Sequence, residues 1–176
     1  MTTPDRLHVT VSTTIPASPD TVYRLISDVP AMSRFSPETV RASWLDRDVA
    51  AVGVRFKGVN AIGRLRWTTR PVITAAEPSR HFAFRVPAGA RSTWSYRLEP
   101  TDGGTVVTES VHTERPVPAV VGFLIRRAGV SDRAEHLREG MRLTLARLAA
   151  AAVAAAPSYC PADHQPPGSS GRRSAS

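Results

Sequence analysis

The residue in the most unusual setting is a carboxylate. Residues 105–113 alternate as a strand, Val107 and Val111 mark its more apolar face, and Glu109 lies between them on that face. A carboxylate is costly to bury unless it is paired or protonated, so in this phase Glu109 carries a raised pKa and a polar role toward a ligand. The opposite phase turns Val106, Thr108, Ser110 and His112 inward and leaves Glu109 wet. The pattern leaves both phases open. Tyr96, on the apolar face of another strand, is a second group able to transfer a proton, and Asn60 offers an amide to hold a carbonyl.

Other chemistries lack their residues. His8, His81 and His112 fall on outer strand faces, His136 flanks an apolar helix stripe, and His164 lies in the C-terminal tail. Cys160 is the single cysteine, and neither HExxH nor CxxC occurs, so no metal site is expected. No GxSxG, Walker-type loop or dinucleotide glycine fingerprint appears, and no cofactor is expected.

The strands around Tyr96 collect large aromatics on one face. Alternation groups Val54, Phe56, Gly58 and Asn60, then Leu65, Trp67 and Thr69, then Phe82, Phe84 and Val86, then Trp94, Tyr96 and Leu98. Arg55, Lys57, Arg64, Arg66, Arg70, Arg85 and Arg97 fall on the opposite faces, so a slip of one residue would bury arginines. Core packing is the ordinary role of any one of these aromatics. Two features favour a cavity. Trp and Tyr bring polar tips that need partners when buried, and Gly58 leaves room beside the hydrogen-bonding Asn60. A mostly apolar pocket with a few polar groups is the usual form of a small-molecule site. The expected ligand wall is Phe56, Gly58, Asn60, Trp67, Phe82, Phe84, Trp94, Tyr96 and Glu109.

Seven strands must position these residues. The first, 8–15, alternates Val9, Val11, Thr13 and Ile15 against His8, Thr10, Ser12 and Thr14. Ser18 then caps a helix with Pro19 at its first position and Val22, Leu25, Ile26 and Val29 at helical spacing. Pro30 stops it, and residues 31–35 make one more short turn. Six strands follow at 39–45, 54–60, 64–74, 81–86, 92–99 and 105–113, with Asp102-Gly103-Gly104 as a hairpin turn. Residues 118–125 are apolar on nearly all sides. Burial between sheet and loops is the ordinary fate of such a segment; a lid, a dimer contact or a membrane-touching element are the alternatives. Ser131-Asp132 caps the last helix, whose stripe is Ala134, Leu137, Met141, Leu145 and Leu148. Pro157 ends it, the Pro-, Ser- and Gly-rich residues 157–176 read as disordered, and the tail is counted from 153 to 176. The domain is placed at 6–152.

The 176 residues suit one domain with a real core. No run approaches the roughly 20 apolar residues needed to span a bilayer. The opening Met-Thr-Thr-Pro-Asp-Arg has no signal segment, so a cytoplasmic protein is expected. The formal charge of +8 suggests nucleic acid at first. All the basic residues except Lys57 are arginine, however, and they are spread rather than clustered, so no nucleic-acid partner is expected.

The order strand, two helices, six strands, long helix resembles the helix-grip fold of the START-like (SRPBCC) superfamily, nearest its bacterial polyketide cyclase/dehydrase and lipid transport family. The likeness is carried by residues 15–23 (Ile-Pro-Ala-Ser-Pro-Asp-Thr-Val-Tyr) and 53–58 (Gly-Val-Arg-Phe-Lys-Gly). Thr74-Ala75-Ala76-Glu77-Pro78 with Phe82-Ala83-Phe84, and residues 94–100 with 104–110, support it. The resemblance implies an α+β fold, a seven-stranded curved antiparallel sheet around a long C-terminal helix, with a deep cavity for hydrophobic ligands such as lipids, sterols or polyketides. Some members cyclise or dehydrate aromatic polyketides with few catalytic groups; others only bind or carry.

Three functions follow as expectations. The first is a binding or carrier protein for an apolar or aromatic small molecule. The second is a polyketide cyclase or dehydratase, with Glu109 or Tyr96 transferring a proton. The third is a non-enzymatic interaction module, for which the outer arginines or residues 118–125 would meet an acidic partner or, as the lesser alternative, a membrane.

Overall fold

A computed structural model describes residues 6–155, so Pro157, Cys160, His164 and the predicted tail from 156 onward lie outside the described residues. Strict alternation gives β1 (His8–Ile15), followed by α1 (Pro19–Ser27), a 3-10 turn (Val29–Ala31) and α2 (Met32–Phe35). Next come β2 (Thr39–Trp44), β3 (Phe56–Ile62), β4 (Leu65–Thr69), β5 (Val72–Glu77), β6 (His81–Arg85), β7 (Ser92–Thr101) and β8 (Gly104–Thr113). Two helices close the chain, α3 (Ala119–Arg127) and α4 (Arg133–Ala155). The helix α4 therefore runs past residue 152, where the sequence reading ends the domain.

Eight strands are present where seven were expected, because the predicted strand 64–74 is two. Pro71 lies at the break, and without an N–H it cannot continue the β3–β4 ladder. Its carbonyl instead accepts from Phe56 N at 3.1 Å, and the Gly53 N to Ile73 O (2.9 Å) and Ile73 N to Val54 O (3.0 Å) bonds continue that seam. The result is a five-stranded antiparallel sheet, β1-β8-β7-β6-β5, joined at this corner to a three-stranded one, β2-β3-β4. Together they form the curved antiparallel surface of an α+β, helix-grip fold, with α4 as its long C-terminal helix.

Local signals read from the sequence hold at two ends of this surface. Ser18 Oγ accepts from Thr21 N at 3.3 Å, capping α1. At the β7–β8 turn Gly104 has φ +136°, and a Cβ there would sit 2.2 Å from the Ile15 carbonyl oxygen, so only glycine fits.

The core forms where α1 and α4 cover the concave face. Ile15, Val22, Ile26, Val29, Phe82, Leu98, Val107, Leu145 and Leu148 are buried together there. Further along α4, Leu137 and Met141 pack with Val9 and Val111. The segment 118–125 departs from its expected burial. No residue of α3 is buried, and Val120 (66%) and Phe123 (53%) are exposed. None of the described helices is long and apolar enough to cross a membrane.

Candidate functional site

Along β6, β7 and β8 the inward residues divide into two groups. Those nearest α1, namely Phe82, Leu98 and Val107, are packed solid in the core. Those beyond it, Phe84, Trp94, Tyr96, Glu109, Val111 and Thr113, border a cavity of about 510 Å³. Phe56, Gly58 and Asn60 on β3 and Leu65 and Trp67 on β4 form the facing wall. Leu137, Met141 and Thr144 of α4, Val121, Leu124 and Ile125 of α3, and Leu25, Ile26, Met32 and Phe35 of α1 and α2 also line it. The volume is within the usual range for small-molecule sites.

Of the wall residues expected from the sequence, only Phe82 is misplaced. It shares the inner face with Phe84 but is two residues nearer the end that α1 covers, where it is fully buried and does not border this cavity. Phe56, Gly58, Asn60, Trp67, Phe84, Trp94, Tyr96 and Glu109 all border it. The aromatics brace one another: Phe56 meets Phe84 edge-on with centroids 5.2 Å apart, and Phe84 stacks on Trp94 at 6.4 Å.

The structure also settles the phase of the last strand. Glu109 is 2% exposed and faces inward with Val107 and Val111. Its register partners are Val11 on β1 and Tyr96 on β7. Tyr96, itself buried, donates its hydroxyl to Glu109 Oε1 at 2.8 Å. Glu109 Oε2 is the one buried side-chain polar atom among the described residues with no hydrogen-bond partner. Burial pushes the Glu109 carboxyl up from 4.5 to about 8, against the lowering effect of the Tyr96 hydrogen bond. Burial and the neighbouring Glu109 push the Tyr96 phenol well above its ordinary value. At neutral pH both groups hold their protons, and the carboxyl is a hydrogen-bond donor set in an apolar wall.

Asn60 is committed elsewhere. Its Oδ1 accepts from Thr39 Oγ1 at 3.2 Å and its Nδ2 donates to Thr69 Oγ1 at 3.4 Å, tying β2, β3 and β4 together. A Cβ on Gly58 would lie 2.9 Å from that same Thr69 oxygen, so the glycine makes room for this bridge as well as for the cavity.

One cluster was not singled out in the sequence. Glu38 and Arg133, both on the cavity wall, form an ion pair, with Arg133 Nη2 donating to Glu38 Oε2 at 2.9 Å. His136 Nε2 stands 3.1 Å from Glu38 Oε1. Glu38 precedes β2 and Arg133 opens α4; no local spacing links them. The titratable residues on the wall are thus Glu38, Arg66, Tyr96, Glu109 and Arg133. Away from it, His81 is half-buried against Ser95 Oγ at 2.8 Å, and burial followed by Arg97 holds its pKa low. Among the described residues no group of three or more His, Cys, Asp or Glu side chains is arranged to hold a metal ion.

Comparison with known proteins bears on the fold and the family. The family model described as polyketide cyclase/dehydrase and lipid transport matches residues 6–153. A solved Thermus thermophilus protein superposes with a TM-score of 0.66 at 21% identity, covering 85% of this chain and 99% of that one. The ginseng (Panax ginseng) major latex-like protein 151 gives 0.65 at 13% identity, covering 84% and 98%. A Chromobacterium violaceum protein gives 0.63 at 16%, covering 83% and 97%. At these identities the likeness is one of fold. None of the curated proteins matches the chain.

Proposed function

The chain belongs to the polyketide cyclase/dehydrase and lipid transport family, and from that footing we propose that it binds one hydrophobic or aromatic small molecule in the cavity between sheet and α4. The observation that carries this reading is the cavity itself: about 510 Å³, walled by Phe56, Trp67, Phe84, Trp94, Leu137 and Met141. Burying an apolar ligand there gains roughly 25 cal/mol per Å² of apolar surface removed from water.

A cyclase or dehydratase is the second reading, favoured by the Tyr96–Glu109 pair. Enolising a ketone needs a base for the C–H proton as well as an acid for the carbonyl oxygen. On this wall Glu109 and Tyr96 are both protonated at neutral pH, Glu38 is held by Arg133 and His136, and the remaining titratable residues are arginines. Glu109 would have to serve as acid and base in turn, with no second free carboxylate or imidazole on this wall among the described residues, and that ranks binding ahead of turnover. A non-enzymatic interaction module, resting on the outer arginines and α3, ranks third, because it leaves the cavity without a role.

Trp67 and Trp94 border the cavity and report on it directly. Titration with 2-acetylnaphthalene is expected to quench tryptophan emission saturably with one-to-one stoichiometry, and replacing both by phenylalanine to leave only the response of Trp44, which packs against Phe56. Quenching that never saturates, with an unmoved Tm, would refute the binding reading.

A further inference from the structure

We propose that Glu109 selects the ligand: its Oε2–H donates a hydrogen bond to a neutral carbonyl oxygen at the buried end of the bound molecule. The cavity then prefers apolar ligands carrying a ketone or similar acceptor at that end and rejects those carrying a carboxylate there. This inference rests on the binding reading and gives it a chemistry.

The argument starts from what the protein leaves undone. Buried polar atoms are nearly always hydrogen-bonded, and one left unmade weakens the fold. Tyr96 supplies a partner for Oε1 but none reaches Oε2. Because Tyr96 donates to Oε1, that oxygen is the carbonyl-like one, and the carboxyl proton belongs on Oε2. The residue also borders the cavity. Oε2 itself presents almost no surface, so its unused hydrogen bond goes to a ligand atom pressed against this part of the wall, with a small shift of the side chain toward it.

The surroundings decide which ligand chemistry suits that donor. From β7 Glu109 faces Tyr96, from β1 Val11, and the α4 side of the wall supplies Leu137 and Met141. Tyr96 is the only titratable residue among them, and none is a cation. The charged wall residues Glu38 and Arg133 are paired with each other, and Arg66, though it borders the cavity, is exposed to solvent on β4. A buried carboxylate on the ligand would find no positive partner at Glu109, whereas a ketone needs none. Burial that holds the carboxyl protonated to about pH 8 keeps the donor available at neutral pH.

Three matched probes test this on the full-length protein: 2-acetylnaphthalene, 2-ethylnaphthalene and 2-naphthoate. At pH 7 the ketone is expected to bind about tenfold more tightly than the hydrocarbon, the fold-change of one ordinary hydrogen bond. The naphthoate should bind more weakly than either. Raising the pH to 9.5 ionises Glu109, and the ketone preference should vanish. Glu109→Gln, which keeps an N–H donor, should hold the preference at both pH values, and Glu109→Leu should abolish it at both while still binding 2-ethylnaphthalene. Equal ketone and hydrocarbon affinities in the wild type, or a preference that survives in Glu109→Leu, would overturn the proposal and leave the cavity reading standing. Failure of all three probes to bind saturably would overturn both.

Discussion

Replacing Glu109 by glutamine is expected to stabilise the protein, and by more as the pH rises. Glutamine keeps the size of the side chain and an oxygen for the Tyr96 hydroxyl, but it does not titrate. Glutamate does, and burial raises its folded-state pKa from 4.5 to about 8. Below pH 4.5 folded and unfolded chains both hold the proton, so the protonated group's contribution to stability is fully present there. Above that value the unfolded chain gives the proton up and the folded one does not. Each pH unit then costs the fold about 1.4 kcal/mol, until the folded state also ionises near pH 8. The cumulative penalty is about 2 kcal/mol at pH 6 and about 4 kcal/mol at pH 8, a large share of an ordinary domain's stability. Urea unfolding of both proteins at pH 5, 6, 7 and 8.5 measures it, because the difference between them cancels every other titration. The variant's advantage should grow over this range by several kcal/mol. A difference that stays constant with pH, or shrinks, would refute the placement of a neutral carboxyl in this wall.

Further substitutions separate core from cavity. Phe82→Ala should cost about 3–5 kcal/mol in urea unfolding, because the ring is fully buried, while leaving the ketone-to-hydrocarbon ratio unchanged. Trp67→Ala, half-buried on β4, should cost about 1–2 kcal/mol but weaken probe binding in fluorescence titration about tenfold. Gly104→Ala forces a Cβ against the Ile15 carbonyl and should destabilise by more than about 3 kcal/mol, read as a drop in Tm. Val120→Ser with Phe123→Ser, both exposed on α3, should shift calorimetric stability by less than about 0.5 kcal/mol.

Much of this wall was legible in the sequence, for physical reasons that also explain the misses. The period of two in β3, β4, β6 and β7 places arginine opposite aromatic, so the inner face could be read directly. In β8 valine and threonine occur on both faces, so periodicity alone left Glu109 in either of two phases. Its own burial, 2% exposed opposite the buried Tyr96, resolves it. The difference between Phe82 and Phe84 depends on how far α1 reaches across β6, a tertiary fact with no trace in the alternation. Pro71 is the sequence signal for the strand break, but it sits inside a long run of strand-like residues whose alternation continues up to it. The Glu38–Arg133 pair joins β2 to α4 over a separation that no local pattern encodes. The apolar run at α3 predicted burial, yet only part of it turns to the cavity and Val120 and Phe123 face solvent.

The most direct test of the cavity claim is to locate a bound probe by intermolecular NOEs in solution. With 2-acetylnaphthalene at saturation, contacts are predicted to the Met141 methyl, the Leu137 methyls and the Trp94 indole, all on the cavity wall. Contacts confined to the exposed Val120 and Phe123 of α3 would place the probe on the surface and contradict the account.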